Sequence, residues 1–261
     1  MKETSVHEYT IRTRADKVAI LPFGDVHYGH VDCDYEKVNK YIEWAKANKD
    51  VYLFLMGDLL ETDIPIHLTT RGVMWNLDGD KYKPSDQFKD MVKLLRPLKK
   101  RIIGAIMGNH EKRIYNLTSI SLTEELCNKL GIPFLHPNPV YVRINVGKQS
   151  YMFLVAHGSG SSQRADYQIR KAINYYPSSD VVLIGHIHYI SGHPYYRLFV
   201  DDDGREVMKT IYGVRTGGFL GYPEYAREKL MEPVDTGSPL VYLYSKKKVI
   251  SVNTSDFVGK I

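Results

Sequence analysis

The stretch KVAILPFGDVHYGH, Lys17 to His30, joins seven mostly apolar residues to a polar cluster with a carboxylate and two imidazoles. The apolar part has the length and Val/Ile/Leu/Phe character of a strand buried on both faces. The pattern recurs four times. DVYLFLM (50–56) stops at GDLLE, RIIGAIM (101–107) at GNHEKR, SYMFLVA (150–156) at HGSGSS, and DVVLI (180–184) at GHIHY. Helical patterns separate the early runs: DYEKVNKYIEWAKANK from Asp34, PSDQFKDMVKLLRPL from Pro84, and TSISLTEELCNKLG ending at Gly131. Gly131 reads as a helix stop. Strands alternating with helices make an α/β fold whose first half is a largely parallel sheet.

The second half reads as strand pairs. PVYVRINVGKQSYMFLVAHG turns at Gly147 and Lys148, YYRLFVDDDGREVMKTIYGV turns at Asp203 and Gly204, and PLVYLYSKKKVISVNTS forms another pair. These predict a second, mixed sheet packed on the first. Residues 62–85 form the longest irregular insertion, of the kind often used as a lid; the rest of 1–261 reads as one domain.

Composition narrows the function classes. With 43% hydrophobic and 25% charged residues the chain is of ordinary globular type. Net charge is +5, compatible with phosphate-bearing partners and too small to argue for nucleic acid alone. Cys33 and Cys127 are far apart in no metal-type spacing, so free thiols in a reducing compartment are expected. The N-terminal residues lack a signal-peptide core, and no run reaches the roughly 18 apolar residues of a membrane span. The expectation is a cytoplasmic protein without membrane contact.

In α/β sheets, ligands bind beyond the carboxyl ends of the strands. Pooled there are Asp25, His27, Asp58, Asn109, His110, His157, His186 and His188. Imidazole and carboxylate without thiolate suit Zn, Mn or Fe, and the set exceeds what one tetrahedral ion needs. If Asp25/His27 and His186/His188 sit on strand ends, each i, i+2 pair points one way. Any single member is ordinarily a turn former or helix cap; five such clusters in one chain are not ordinary.

In order, GDVH, GDLLE, GNHE, HG and GHIH resemble the five signature blocks of the calcineurin-like metallophosphoesterase superfamily, spanning Gly24 to His188. The resemblance implies a four-layer α/β/β/α sandwich with two mixed β-sheets. It implies two divalent ions, manganese favoured for activity. Asp25, His27 and His188 would hold the first, Asn109, His157 and His186 the second, and Asp58 would bridge them. A metal-bridging hydroxide would attack phosphorus, with His110 as the acid for the leaving oxygen. Arg113 and His30 are candidate substrate contacts; Arg113 reads equally well as an exposed residue of the first helical turn, and His30 reads more readily as a surface or packing residue. Glu111 either orients His110 or lies on the surface. Glu61 stands where many members have Asp, with little effect expected. No Asp-Arg-Gly continuation follows, which weakens a protein-phosphatase reading. His7, His67, His136 and His193 carry no motif role, and Arg215 and Thr216 approach the site only by inference from nearby glycines.

The favoured reading is a binuclear phosphodiesterase, with a nuclease, and so a nucleic-acid partner, among its forms. The alternative within the class is a phosphomonoesterase acting on a small metabolite or phosphoprotein. A non-catalytic scaffold of the same fold ranks lower, because His110 and every assigned ligand are present. A metallo-β-lactamase-like hydrolase lacks its H-x-H-x-D-H run, since Ile190 stands where that pattern needs Asp.

Overall fold

The computed structural model describes residues 6–62, 78, 83–160, 166–228, 230 and 232–258. The 62–85 insertion lies outside the described residues except for Thr62, Asp78 and 83–85.

All five apolar runs are strands: β2 (Lys17–Phe23), β3 (Val51–Leu55), β4 (Ile102–Ala105), β6 (Gln149–Ala156) and β7 (Val181–Ile184). Successive side chains of each go to opposite faces. In β2, Val18 and Ile20 enter one core while Ala19, Leu21 and Phe23 enter another. In β7, Val181 and Leu183 face inward and Val182 and Ile184 outward. Burial on both faces is why these strands read as continuous apolar runs.

The remaining strands are β1 (His7–Ile11), β5 (Val140–Val146), β8 (Ile190–Val200), β9 (Glu206–Thr216), β10 (Leu240–Tyr244) and β11 (Ile250–Asn253). One sheet has the order β1-β5-β6-β7-β9-β8, the other β11-β10-β2-β3-β4. Both are mixed. The expected division by halves therefore needs correction. β10 runs antiparallel beside β2, so the last strand pair extends the first sheet. β1 pairs parallel with β5 and joins the second.

The described α-helices are α1 (Tyr35–Ala47), α2 (Pro84–Leu95), α3 (Asn109–Thr118), α4 (Leu122–Leu130), α5 (Tyr167–Tyr175) and α6 (Glu224–Glu228), with a 3-10 helix at Arg96–Arg101. Helix α1 starts where the Asp34 carboxylate accepts the Lys37 N–H at 3.0 Å. Helix α4 ends at Gly131, whose φ of 68° is the left-handed stop that glycine allows. Three apolar clusters mark the interfaces of a four-layer α/β/β/α sandwich. Helices α1, α2 and α4 pack on the β2-containing sheet through Val38, Ile42, Met91, Leu95 and Leu126. Phe54 and Phe153 meet between the sheets with ring centroids 5.7 Å apart. Ile169 and Ile173 of α5 cover the outer face of the other sheet.

The carboxyl ends of β2, β3, β4, β6 and β7 open at one rim, and all five polar blocks leave from it. Truncating the inter-sheet core at Phe153→Ala is expected to cost roughly 3–5 kcal/mol. Urea unfolding checks this as a lower midpoint at unchanged slope.

Candidate metal centre

The structure brings the eight pooled residues together, and six of them, His27, Asp58, Asn109, His110, His186 and His188, line one cavity. Two groups overlap the assignment made from sequence: Asp25, His27 and His188, and Asp58, His157 and His186. Their ligand-type atoms lie within 4.8 Å of one another in each group. His27, Asp58 and His110 form a third such group between them. The neighbours His186 and His188 thus go to different groups.

Convergence does not come from strand alternation. Strand β2 ends at Phe23 and β7 at Ile184, before the paired residues. Asp25, His27, Asp58, His186 and His188 all have left-handed backbones, with φ between 46° and 73°. Thr62 shares this at 52°. For residues with a Cβ this conformation costs about 1–2 kcal/mol each and persists where surrounding contacts over-determine it.

Those contacts are specific. Asp25 accepts the His186 N–H at 3.0 Å, and Asp58 Oδ1 accepts the His110 N–H at 2.8 Å. Glu111 is neither surface nor a support of the His110 ring. It is buried, and its carboxylate accepts N–H groups from Asp58, Leu59, Leu60 and Gly108 at 2.7–3.1 Å. Glycine is required at 108, because a Cβ there would stand 2.1 Å from Asp58 Oδ1.

Glu61 is the residue the sequence reading passed over. Its buried carboxylate lies 2.9 Å from His27 Nδ1 and 3.3 Å from His110 Nδ1. His110 Nδ1 is also 3.0 Å from the Glu61 carbonyl oxygen. This position thus touches two of the pooled imidazoles. The available signal was a carboxylate three residues after Asp58, at the same strand end.

Arg113 reaches the site, with Nη2 3.1 Å from His110 Nε2. His30 does not join the cavity rim. It is buried, and its Nδ1 accepts the Asp32 N–H at 3.0 Å. Thr216 donates to the Ile184 carbonyl at 3.4 Å beneath the site. His193 is exposed on β8. Both cysteines are free and buried. No helix among the described residues is long and apolar enough to cross a membrane.

The donor chemistry fits a cation. His157 Nδ1 lies 2.8 Å from the Met56 carbonyl, which can only accept, so Nδ1 carries a proton. In the neutral ring Nε2 then presents a lone pair, facing Asp58 Oδ2 at 3.1 Å and Asn109 Oδ1 at 3.0 Å. Three acceptors aimed at one another need a proton or a metal ion between them. His27 repeats the arrangement: Nδ1 faces Glu61, while Nε2 faces His188 Nε2 at 3.2 Å.

Proton affinities follow from these partners. Burial opposes a charge on His157, but the Asp58 carboxylate outweighs it and lifts the imidazole to about 10. Burial likewise opposes a charge on His110, and Glu61 raises it to about 9. Burial and the His110 charge push His27 down to about 4. Burial and His157 lower His186. Burial works to raise Glu61 and Asp58, yet the adjoining histidines hold both carboxyls below their ordinary range.

The model of the calcineurin-like phosphoesterases matches residues 18–190. The chain belongs to this family. The family is metal-dependent, which agrees with the carboxylate–imidazole groups. Among solved structures, NAD nucleotidase NadN of Haemophilus influenzae is 14% identical, with a TM-score of 0.44 over 91% of this chain and 49% of that one. This chain thus spans about half the length of that protein. Vacuolar protein sorting 29 of Cryptosporidium parvum is 12% identical, with a TM-score of 0.43 over 92% and 98%. The zinc complex of Entamoeba histolytica Vps29 is 11% identical, with a TM-score of 0.38 over 92% and 99%. These likenesses are too distant to bear on activity. No curated protein sequence matches.

A pH test follows. His157 holds its proton to about 10 in the fold against 6.5 ordinarily. The linked stability is fully present below about pH 6.5 and is lost as pH rises through about 10. Chelator-treated wild type should therefore lose unfolding free energy between pH 7 and pH 10 relative to His157→Gln, read by urea titration at each pH.

Proposed function

We propose that this chain is a metal-dependent phosphoesterase that uses two divalent ions, with phosphodiesters favoured as substrates. One observation carries the reading. Two carboxylate–imidazole groups meet at one cavity beside His110. Asp25, His27 and His188 would hold one ion, Asn109, His157 and His186 the other, and Asp58 would be shared. Bound there, divalent ions polarise a phosphoryl group and lower the pKa of water; manganese is the favoured choice for activity.

The protein's own groups supply the rest. Glu61 fixes the His110 ring at Nδ1, so Nε2 is the atom that can hand a proton to a leaving oxygen. Arg113 Nη2 lies 3.1 Å from Nε2 and can only donate, so in this contact Nε2 is the acceptor. A phosphoryl oxygen would accept from the guanidinium in its place and leave Nε2 to carry the proton. Asn109 contributes a neutral amide oxygen and so adds no negative charge against an anionic substrate. Phosphodiesters are favoured over phosphomonoesters because the protein-phosphatase continuation after Glu61 is missing. With manganese, a bis-aryl phosphate should be hydrolysed faster than a mono-aryl phosphate; the reverse order would favour the monoesterase reading.

Two substitutions separate the roles. Asp58→Asn should lower bound metal as well as turnover, measured by elemental analysis beside a kinetic assay. His110→Ala should keep metal content near wild type and reduce turnover by roughly 10²–10⁴ on a poor leaving group. Full activity in that variant would remove the acid role.

A further inference from the structure

The cavity over the candidate centre has two unlike halves. Its floor is the imidazole–carboxylate set. The facing wall is apolar, built by Ile187 and Tyr189 after β7 and by Tyr222, Pro223, Leu230 and Val234 after β9. The cavity holds about 460 Å³, within the range of small-molecule sites. The wall is built onto the fold. Gly218 and Gly237 exchange backbone hydrogen bonds at 2.9 and 2.7 Å and so clamp the base of the segment between them. Tyr189 is backed by Arg215, whose guanidinium carbon lies 4.9 Å from the ring centroid and whose Nε donates to Ser191 at 2.8 Å.

The charges are as informative as the apolar surface. No Lys or Arg is among the described residues that line the cavity, and the guanidinium groups near it are engaged behind the lining: Arg113 on His110, Arg215 on Tyr189, and Arg227 with its guanidinium carbon 5.4 Å from the Tyr222 ring centroid. Glu232 adds a carboxylate, bonded to the Tyr189 hydroxyl at 3.0 Å. Basic runs lie at the other ends of the strands. Lys99–Arg101 precede β4, and Lys246–Lys248 form the turn from β10 to β11, beside the first residue of β2. Grooves that track a nucleic-acid backbone are basic, because each phosphate must be neutralised. A wall of tyrosine, proline, leucine and valine desolvates an apolar group and offers no row of basic side chains to a phosphate backbone.

We propose that this wall receives the non-reacting ester group, and that the substrate is a small phosphodiester bearing an apolar ring rather than a nucleic-acid strand. The proposal rests on the phosphoesterase reading of the adjoining centre. Tyr189, Tyr222 and Pro223 offer flat faces to a ring, and the polar floor takes the phosphoryl end.

The test uses the full chain loaded with manganese. Methyl and phenyl esters of p-nitrophenyl phosphate share a leaving group and differ only in the ester the wall would read. Methylphosphonate and phenylphosphonate give the same comparison as binding constants, by calorimetry. We expect kcat/KM for the phenyl diester to exceed that for the methyl diester by about tenfold, with Kd for phenylphosphonate lower by a similar factor. Both ratios should fall toward one in Val234→Asp and in Tyr222→Ala. Equal kcat/KM and equal Kd in the wild type would overturn the wall's role and leave the phosphoesterase reading standing. Tighter phenylphosphonate binding with no hydrolysis of either diester would uphold the wall and overturn the phosphoesterase reading. A ten-residue thymidine oligonucleotide cleaved with higher kcat/KM than the phenyl diester would overturn the substrate class.

Discussion

Everything at the rim depends on the Glu111 carboxylate. It is buried, and it takes the N–H groups of Asp58, Leu59 and Leu60 from the loop after β3 and that of Gly108 from the loop after β4. Asp58 returns the tie by accepting the N–H of His110. The two loops are thereby locked to each other through side chains one helical turn or less from the candidate ligands. A buried donor without a partner costs about 1–3 kcal/mol, so four donors on one carboxylate set the loop path firmly. That is how the left-handed backbone at Asp58 is held; at Thr62 the N–H instead goes to Gln87 Oε1 at 3.1 Å and the hydroxyl to the His110 carbonyl at 2.6 Å. The arrangement has its own cost: burial and the nearby Asp58 charge raise the Glu111 carboxyl. Ions above Asp58 would relieve part of that repulsion, which couples the packing of α3 to occupancy of the centre.

The α/β class and the rim residues were readable because strands buried on both faces stop abruptly where the chain meets the rim. Lys17–Phe23 and Val181–Ile184 show this directly: each apolar run is a strand, and each polar block begins within two residues of its end. Pairing across long distances was not readable. Nothing local in His7–Ile11 announces a parallel partner at Val142–Val146, and nothing local in Leu240–Tyr244 announces that it lies beside β2. Glu61 and Glu111 were opaque for a different reason. A carboxylate whose work is to receive backbone N–H groups or to steer a ring has no spacing of its own, and its partners are set by the fold. Net charge was a poor guide too, since the basic runs that produce it sit at the far ends of the strands.

The division of labour between His27 and His110 comes from geometry around one group. Both rings present Nδ1 to the same Glu61 carboxylate, and their centroids are 4.4 Å apart. Two imidazolium charges at that separation repel, so one ring must remain neutral. The fully buried His27 yields and falls to about 4; His110, which also feels Asp58, rises to about 9. Environments that push paired groups apart in this way assign their chemistry. His27 is left with a free lone pair on Nε2 at neutral pH, the form a metal ligand needs. His110, beside Glu61 and Asp58, is the ring that favours the charged form. A shorter Asp at position 61 would have to span both rings from further back, so the extra methylene of Glu61 bears on how two histidines share one carboxylate.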